Sequence, residues 1–264
     1  MTKRLLAVAG SDSSGGAGIQ ADIKTATALG SYAMTAITAV TVQDTTGIYA
    51  VQLMPPDFVA AQIRACLDDI GADVIKIGML GSGEIAAAVA ETLRKHAAGI
   101  PVVLDPVLAS TSGTRLLDDL GQTVLHDTLM PLAALITPNL PEAELLTGIA
   151  CDSAGGIAMA GEALLGAGAR AVLIKGGHGA GDALVDTLIA RDGRETFAMP
   201  RIATRHTHGT GCTYATAIAV GLAEGRGLEA AITRAMHFLR SALETAPGLG
   251  RGHGPLNHLQ GKDG

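Results

Sequence analysis

Short apolar runs that stop at glycine, proline or polar residues recur along this chain, and Ala-rich stretches of helical length separate them. Leu5–Ala9, Met34–Val42, Val74–Ile77, Val102–Leu104, Ala134–Thr137 and Ala171–Ile174 are mostly apolar or β-branched, with Lys76 the one charge among them. That is the pattern of strands buried on both faces. Such strands need helices above and below them, so the series predicts an α/β fold: a doubly wound, mostly parallel central sheet flanked by helices.

The expected helices are Ile19–Leu29 with Gly30 as C-cap, Phe58–Ile70 capped by Asp57, Glu84–His96, Asp118–Leu125, a short Pro141–Leu146, Gly155–Gly166, a helix from Tyr214 to Leu222 and Leu228–Ala246. Ile48–Leu53 adds a short strand. Ala183–Ala190 and Glu195–Pro200 read as a small antiparallel edge around Arg191-Asp192-Gly193-Arg194. Without a repeat or long linker, residues 1–264 are expected to form one domain, with 255–264 as a loose tail.

Composition narrows the function classes. Hydrophobic residues make up 48% of the chain, yet it has only three Tyr, three Phe and no Trp, so the core is Ala, Val, Ile and Leu. A net charge of −6 provides no basic field for nucleic acid. Cys66, Cys151 and Cys212 form no CxxC pair, and an odd count argues against a disulfide framework, which points to a reducing cytoplasm. Met1–Gly10 reads as a first strand rather than a signal peptide. The absence of a long uncharged apolar stretch argues against a membrane span.

The stretch His206-Thr207-His208-Gly209-Thr210-Gly211-Cys212-Thr213 runs directly into an apolar helix. Unpaired N–H groups and the macrodipole make such a terminus suitable for an anion, typically a phosphate. A thiol there is expected to have a lowered pKa and to act as base or nucleophile. The same stretch would equally serve as an ordinary glycine-rich connection around an inert, buried Cys212. His206-x-His208 reads as loop polarity, not as a metal site.

In doubly wound sheets, ligands sit beyond the carboxyl ends of the strands. Gly10-Ser11-Asp12, Gln43-Asp44, Lys76 to Met79, Asp105, Asn139 to Glu142 and Lys175-Gly176-Gly177-His178 all fall at or after such ends. Asp105, Asn139 and Glu142 supply hard oxygen donors of the kind Mg²⁺ accepts through water. Asp105 would otherwise be a strand-end cap, and Glu142 a first-turn partner of a helix dipole. Lys175 can serve a phosphate as a point charge. GxxxxGK[ST] is absent, and GxGxxG does not occur in a strand–turn–helix context.

These motifs are together similar to those of the ribokinase-like small-molecule kinases, and most of all to the hydroxymethylpyrimidine/phosphomethylpyrimidine kinases of thiamin biosynthesis. The resemblance runs from Ala9-Gly10-Ser11-Asp12-Ser13-Ser14-Gly15-Gly16-Ala17-Gly18-Ile19-Gln20-Ala21-Asp22 to His253-Gly254. It includes Lys76-Ile77-Gly78-Met79-Leu80, Leu104-Asp105-Pro106-Val107, Thr137-Pro138-Asn139-Leu140-Pro141-Glu142-Ala143, Lys175-Gly176-Gly177-His178 and His208-Gly209-Thr210-Gly211-Cys212-Thr213.

The resemblance implies phosphorylation of 4-amino-5-hydroxymethyl-2-methylpyrimidine to its monophosphate and then its diphosphate, with ATP and Mg²⁺, by a homodimer. It gives Gln43 the aminopyrimidine edge, lines the same pocket with Gly10, Asp22 and Met79, and packs Val107 on the ring. Asn139 and Glu142 match an Asn-x-x-Glu magnesium motif, with Asp105 nearby. Lys175 and the amides of Gly209, Thr210, Gly211 and Cys212 would hold phosphates, and Cys212 stands where most ribokinase relatives carry an Asp base.

Two departures stand out. Ala109-Ser110-Thr111-Ser112-Gly113 replaces the family's frequent Ala-Lys-Ser-Gly, leaving any phosphate contact to hydroxyls or backbone. Ala235-Met236 replaces Ala-Lys, removing a nucleotide-side cation. Two rival readings remain: a pyridoxal/pyridoxine kinase of the same superfamily, and a non-catalytic pyrimidine-binding regulator. Gln43 favours the aminopyrimidine over the first, and the presence of Asn139, Glu142, Lys175 and Cys212 argues against the second.

Overall fold

The computed structural model describes residues 1–109, 113, 115–178 and 183–259. The departure at 110–112 and the last part of the tail, 260–264, lie outside the described residues. In chain order the elements are β1 Arg4–Ser11, α1 Gly18–Ala28, β2 Tyr32–Asp44, β3 Gly47–Leu53, α2 Pro56–Asp69, β4 Val74–Ile77, α3 Gly83–His96, β5 Val102–Leu104, α4 Asp119–Val124, β6 Leu135–Ile136, α5 Leu140–Thr147, α6 Ala154–Gly166, β7 Ala171–Ile174, β8 Ala183–Ala190, β9 Gly193–Pro200, α7 Thr210–Ala223 and α8 Leu228–Glu244.

The strands make one nine-stranded sheet in the order β3-β2-β1-β4-β5-β6-β7-β8-β9. From β2 to β7 all neighbours are parallel, while β3, β8 and β9 join antiparallel at the two edges. The expected ribokinase-like architecture is therefore present, with antiparallel strands on both edges instead of one. The chain leaves β1 toward β2 on one side and returns to β4 on the other, so a topological switch point opens beside β1.

Period-two alternation sends each strand's side chains into two cores. Leu6, Val8, Ile75, Ile77 and Leu104 pack with residues of α2, α3, α5 and α6. Leu5, Ala7, Val74, Val103 and Leu173 pack with α1, α7 and α8. Each fully buried Leu, Val or Ile contributes about 1.5–3 kcal/mol relative to exposure, which holds the strand ends in fixed register.

Local departures from the expected boundaries have simple causes. Pro55, not Asp57, is the N-cap of α2; Asp57 sits in the first turn, where its charge faces the helix dipole. β2 runs on through a bulge between Val42 and Gln43, so Gln43 is a strand residue, not a loop residue. After α4 the chain widens into a π turn, Leu125–Leu129, and then tightens into a 3₁₀ turn, Met130–Leu132. The expectation of a loose tail is corrected over its described part. Pro255 bridges to His208, Leu256 is buried, and His258 is buried with its Nε2 bonded to Thr213 Oγ1 at 2.9 Å. Among the described residues no helix is long and apolar enough to cross a membrane.

Candidate active site

A cavity of about 480 Å³ opens at the carboxyl ends of the parallel strands, beside the switch point. Gly10, Gln43, Met79, Val107, Asp105, Asn139, Glu142, Lys175 and Gly209 through Cys212 all line it. The sheet thus brings together residues scattered over most of the chain.

At its floor, α7 begins with Gly209 as N-cap at φ +83°. A side chain there is impossible: a Cβ would lie 1.8 Å from the Gly16 carbonyl oxygen. The glycine therefore serves both the left-handed turn and the close approach of two loops. The N–H groups of the first turn of α7 lack intrahelical partners, which suits this end of the cleft to an anion.

The charged residues are arranged in layers. Lys175, just after β7, donates to Asp105 Oδ1 at 2.8 Å, and Thr137 Oγ1 donates to the same oxygen at 3.0 Å. Lys175 and Lys76 hold the Asp105 carboxyl below its usual range against the cost of burial. Asn139 and Glu142 form a capping box on α5, with Asn139 N–H donating to Glu142 Oε2 at 2.8 Å and Glu142 N–H to Asn139 Oδ1 at 2.9 Å. Burial pushes the Glu142 carboxyl up to about 7, with Lys175 pulling it down and Asp105 adding to the rise. Among the described residues no three His, Cys, Asp or Glu side chains converge as a metal cage. Two carboxylates and an amide fit a divalent ion that keeps most of its water and leans on substrate phosphates.

Three expectations are corrected. Asp22 does not line the cavity. It is fully buried beneath it, where Lys76 Nζ donates to its two oxygens at 2.9 and 3.1 Å and Thr216 Oγ1 donates to Oδ1 at 2.7 Å. Lys76 is likewise a buried strand residue and not part of the polar rim. The Cys212 thiol, in turn, is not acidified. Burial pushes it up to about 11, Asp22 and Asp105 add to the rise, and Lys76 and the Gly18 N–H oppose it. Desolvation at the cleft floor outweighs the helix terminus.

Sequence reading also missed residues that the cavity displays. His208 is buried, not simple loop polarity: its Nε2 lies 2.7 Å from Asp12 Oδ2 and 3.4 Å from Gln43 Nε2. The Gly16 and Ala17 N–H groups and Ser14 Oγ also donate to Asp12, whose carboxyl falls to about 2 despite its burial. An Asp that opens a glycine-rich turn was the available signal, since it commonly bonds the following amides. At the other end of the cavity, Leu184, Met199, Ile202, Met236 and Leu239 make an apolar wall. Asp186 is buried there, with Oδ1 accepting from Gly176 N–H at 2.9 Å. Met236, the departure noted above, is part of this wall, and Arg240 lines the cavity one turn further along α8.

A doubly wound sheet whose cleft pairs a helix-terminal anion cradle with an ammonium, two carboxylates and a ring-sized recess belongs to the ribokinase-like small-molecule kinases. The sequence profile of the phosphomethylpyrimidine kinase family matches residues 12–257, and the chain belongs to that family. A Haemophilus influenzae protein named hydroxymethylpyrimidine/phosphomethylpyrimidine kinase is 44% identical over 260 residues, covering 97% of this chain and 96% of its own. The thiamine biosynthesis bifunctional protein ThiED of Geobacter sulfurreducens is 48% identical over 97% of this chain, which spans about half (52%) of that protein's length. Among solved structures, the pyridoxal kinase from Staphylococcus aureus in complex with AMP-PCP and pyridoxal superposes with a TM-score of 0.89 at 32% identity, over 98% of this chain and 94% of that one.

Proposed function

We propose that this protein transfers the γ-phosphoryl group of ATP to the hydroxymethyl oxygen of 4-amino-5-hydroxymethyl-2-methylpyrimidine, and then a second phosphoryl group to the monophosphate. One observation carries the reading: the Gln43 carboxamide and the Cys212 thiol face one cavity, with the α7 anion cradle beside them. A carboxamide matches the paired donor and acceptor of an aminopyrimidine edge, and Met79, Gly10 and Val107 give the ring its walls. The relatives named hydroxymethylpyrimidine/phosphomethylpyrimidine kinase support the same substrate.

In the first step the hydroxymethyl oxygen bonds the γ-phosphorus, the bond from that phosphorus to the β,γ-bridging oxygen breaks, ADP leaves, and the hydroxyl proton passes to Cys212. Positioning and charge neutralisation supply most of the catalysis in such transfers. Lys175 exchanges Asp105 for donor phosphates, and the amides of Gly209, Thr210, Gly211 and Cys212 hold the migrating group. Asp105, Asn139 and Glu142 would hold Mg²⁺ largely through water, and the ion would supply neutralising charge. A thiol raised to about 11 is protonated at rest, so Cys212 first gives its own proton to bulk water and takes the hydroxyl proton as the thiolate. In the second step the acceptor is already an ionised phosphate and needs little base help.

The apolar wall of Leu184, Met199, Ile202 and Leu239 suits the adenine ring. The Staphylococcus aureus enzyme favours pyridoxal as a second reading, because its ring also carries a hydroxymethyl group. A non-catalytic regulator has no use for the Lys175, Glu142 and Cys212 constellation. We read the protein as cytoplasmic and homodimeric by its family. A ³¹P NMR time course with ATP and the pyrimidine alcohol tests the proposal: the monophosphate should rise first and the diphosphate follow. ATP consumption without either product would contradict it.

A further inference from the structure

Four side chains from three segments meet at the pyrimidine end of the cavity: Asp12 after β1, Thr41 and Gln43 on β2, and His208 before α7. Their contacts restrict where the protons can lie. His208 Nε2 is 2.7 Å from Asp12 Oδ2, and the carboxylate can only accept, so Nε2 carries a proton in either charge state of the ring. The same Nε2 is 3.4 Å from the Gln43 carboxamide. In the structure the carboxamide nitrogen lies on that side, facing a ring N–H that cannot accept from it; turned over, the carboxamide would present an oxygen there instead.

Thr41 gives the same answer independently. Its Oγ1 lies 3.1 Å from the Ser11 carbonyl oxygen and 3.1 Å from Gln43 Oε1. A hydroxyl has one proton and here faces two oxygens, so it can satisfy only one of them; with the carboxamide turned over, Thr41 would donate to Ser11 and accept from the Gln43 nitrogen. The orientation that satisfies both contacts is therefore the turned-over one, with the oxygen to His208 and the nitrogen to Thr41. Oxygen and nitrogen of a carboxamide are nearly isosteric, so only this network distinguishes the two orientations.

We propose that Asp12 and His208 are positioning residues for substrate recognition, which fix the orientation of the Gln43 carboxamide and with it the order of acceptor and donor shown to the ring. The inference rests on the reading that Gln43 faces the pyrimidine. An amino-substituted edge pairs a donor with a ring-nitrogen acceptor, and an oxo-substituted edge reverses that order. A carboxamide locked in one orientation distinguishes the two edges, whereas a free one turns over to suit either. Asp12 is itself held by the Gly16, Ala17 and Ser14 donors, and a Cβ on Gly16 would meet the His208 ring at 2.4 Å. The recognition end is thus built from the loop that also approaches Gly209 of the anion cradle.

The test is calorimetric binding of the 4-amino pyrimidine alcohol, its 4-oxo analogue and AMP-PNP to wild type, His208→Phe, Gln43→Ala and the double variant. His208→Phe keeps a ring against Gly16 and removes the donor. It should cut the amino-over-oxo preference by about tenfold, the worth of one well-placed hydrogen bond, and leave AMP-PNP affinity unchanged. In the Gln43→Ala background His208→Phe should add nothing, because residues acting through one group are coupled. Asp12→Asn keeps the shape of the loop and should lower the preference as well, which covers the case of an unstable His208→Phe. An intact preference with uniformly weaker binding, or additive losses, overturns the inference while leaving Gln43 as the reader. Unchanged pyrimidine affinity in Gln43→Ala removes the underlying reading and this inference with it.

Discussion

Lys76 and Asp22 meet at 2.9 Å with both side chains shut away from solvent, directly below the anion cradle. Burying two charges costs several kcal/mol each, and only a close, fully bonded geometry offsets it. Thr216, one turn beyond Cys212 on α7, completes that geometry through Oγ1. The pair ties β4, α1 and α7 together where the cleft must be rigid. Asp22→Asn leaves the Lys76 ammonium poorly compensated and should lower unfolding free energy by about 3–5 kcal/mol in urea titrations. Replacing both partners, Lys76→Met with Asp22→Leu, should recover a large part of that loss. A single variant as stable as wild type would show that the pair does not hold the floor of the site.

Cys212 should be unreactive as a resting thiol. Its pKa of about 11 predicts that iodoacetamide alkylation of the ligand-free protein keeps rising with pH far beyond the range of an ordinary cysteine. A plateau near neutrality would contradict the dominance of burial. Cys212→Ser should reduce phosphorylation of the alcohol far more than that of the monophosphate, by about a hundredfold against a few-fold. Equal losses would leave Cys212 as a packing residue.

Glu142→Gln separates a metal role from a helix cap. Glutamine can keep the capping bond to the Asn139 N–H, so α5 should stay folded. The Mg²⁺ concentration for half-maximal rate should rise, and excess Mg²⁺ should restore part of the activity. An unshifted Mg²⁺ dependence would remove Glu142 from the metal site.

Asp12 links stability to pH with a defined sign. Its folded pKa, about 2, lies below the model-peptide value of 3.8, so its contribution is present above the unfolded pKa and is lost as pH falls through the folded one. Asp12→Asn should be less stable than wild type at neutral pH by about 2 kcal/mol, with the gap closing in that acid window. A constant gap across pH would assign the effect to shape and not to charge.

Much of this was legible in the sequence because strand and helix periodicity are local. Val74–Ile77, Val102–Leu104 and Ala171–Ile174 were expected with the boundaries observed, and the polar strand ends pointed to the cleft. What escaped depends on contacts between distant segments. Asp22 and Lys76 are 54 residues apart and read as site residues because each ends or follows a polar motif, yet they consume one another. His208 looked like loop polarity because Asp12 lies 196 residues away. The helix terminus at Cys212 suggested an acidic thiol, since sequence shows the dipole but not the depth of burial that outweighs it.

The central claim is substrate identity, and the most direct measurement is kcat/KM for the hydroxymethyl aminopyrimidine against pyridoxal, on wild type and Gln43→Ala. The account predicts that wild type prefers the pyrimidine by at least about a hundredfold, and that Gln43→Ala loses much of that preference with little change in the KM for ATP. A preference for pyridoxal, or a pyrimidine preference untouched by Gln43→Ala, would contradict it.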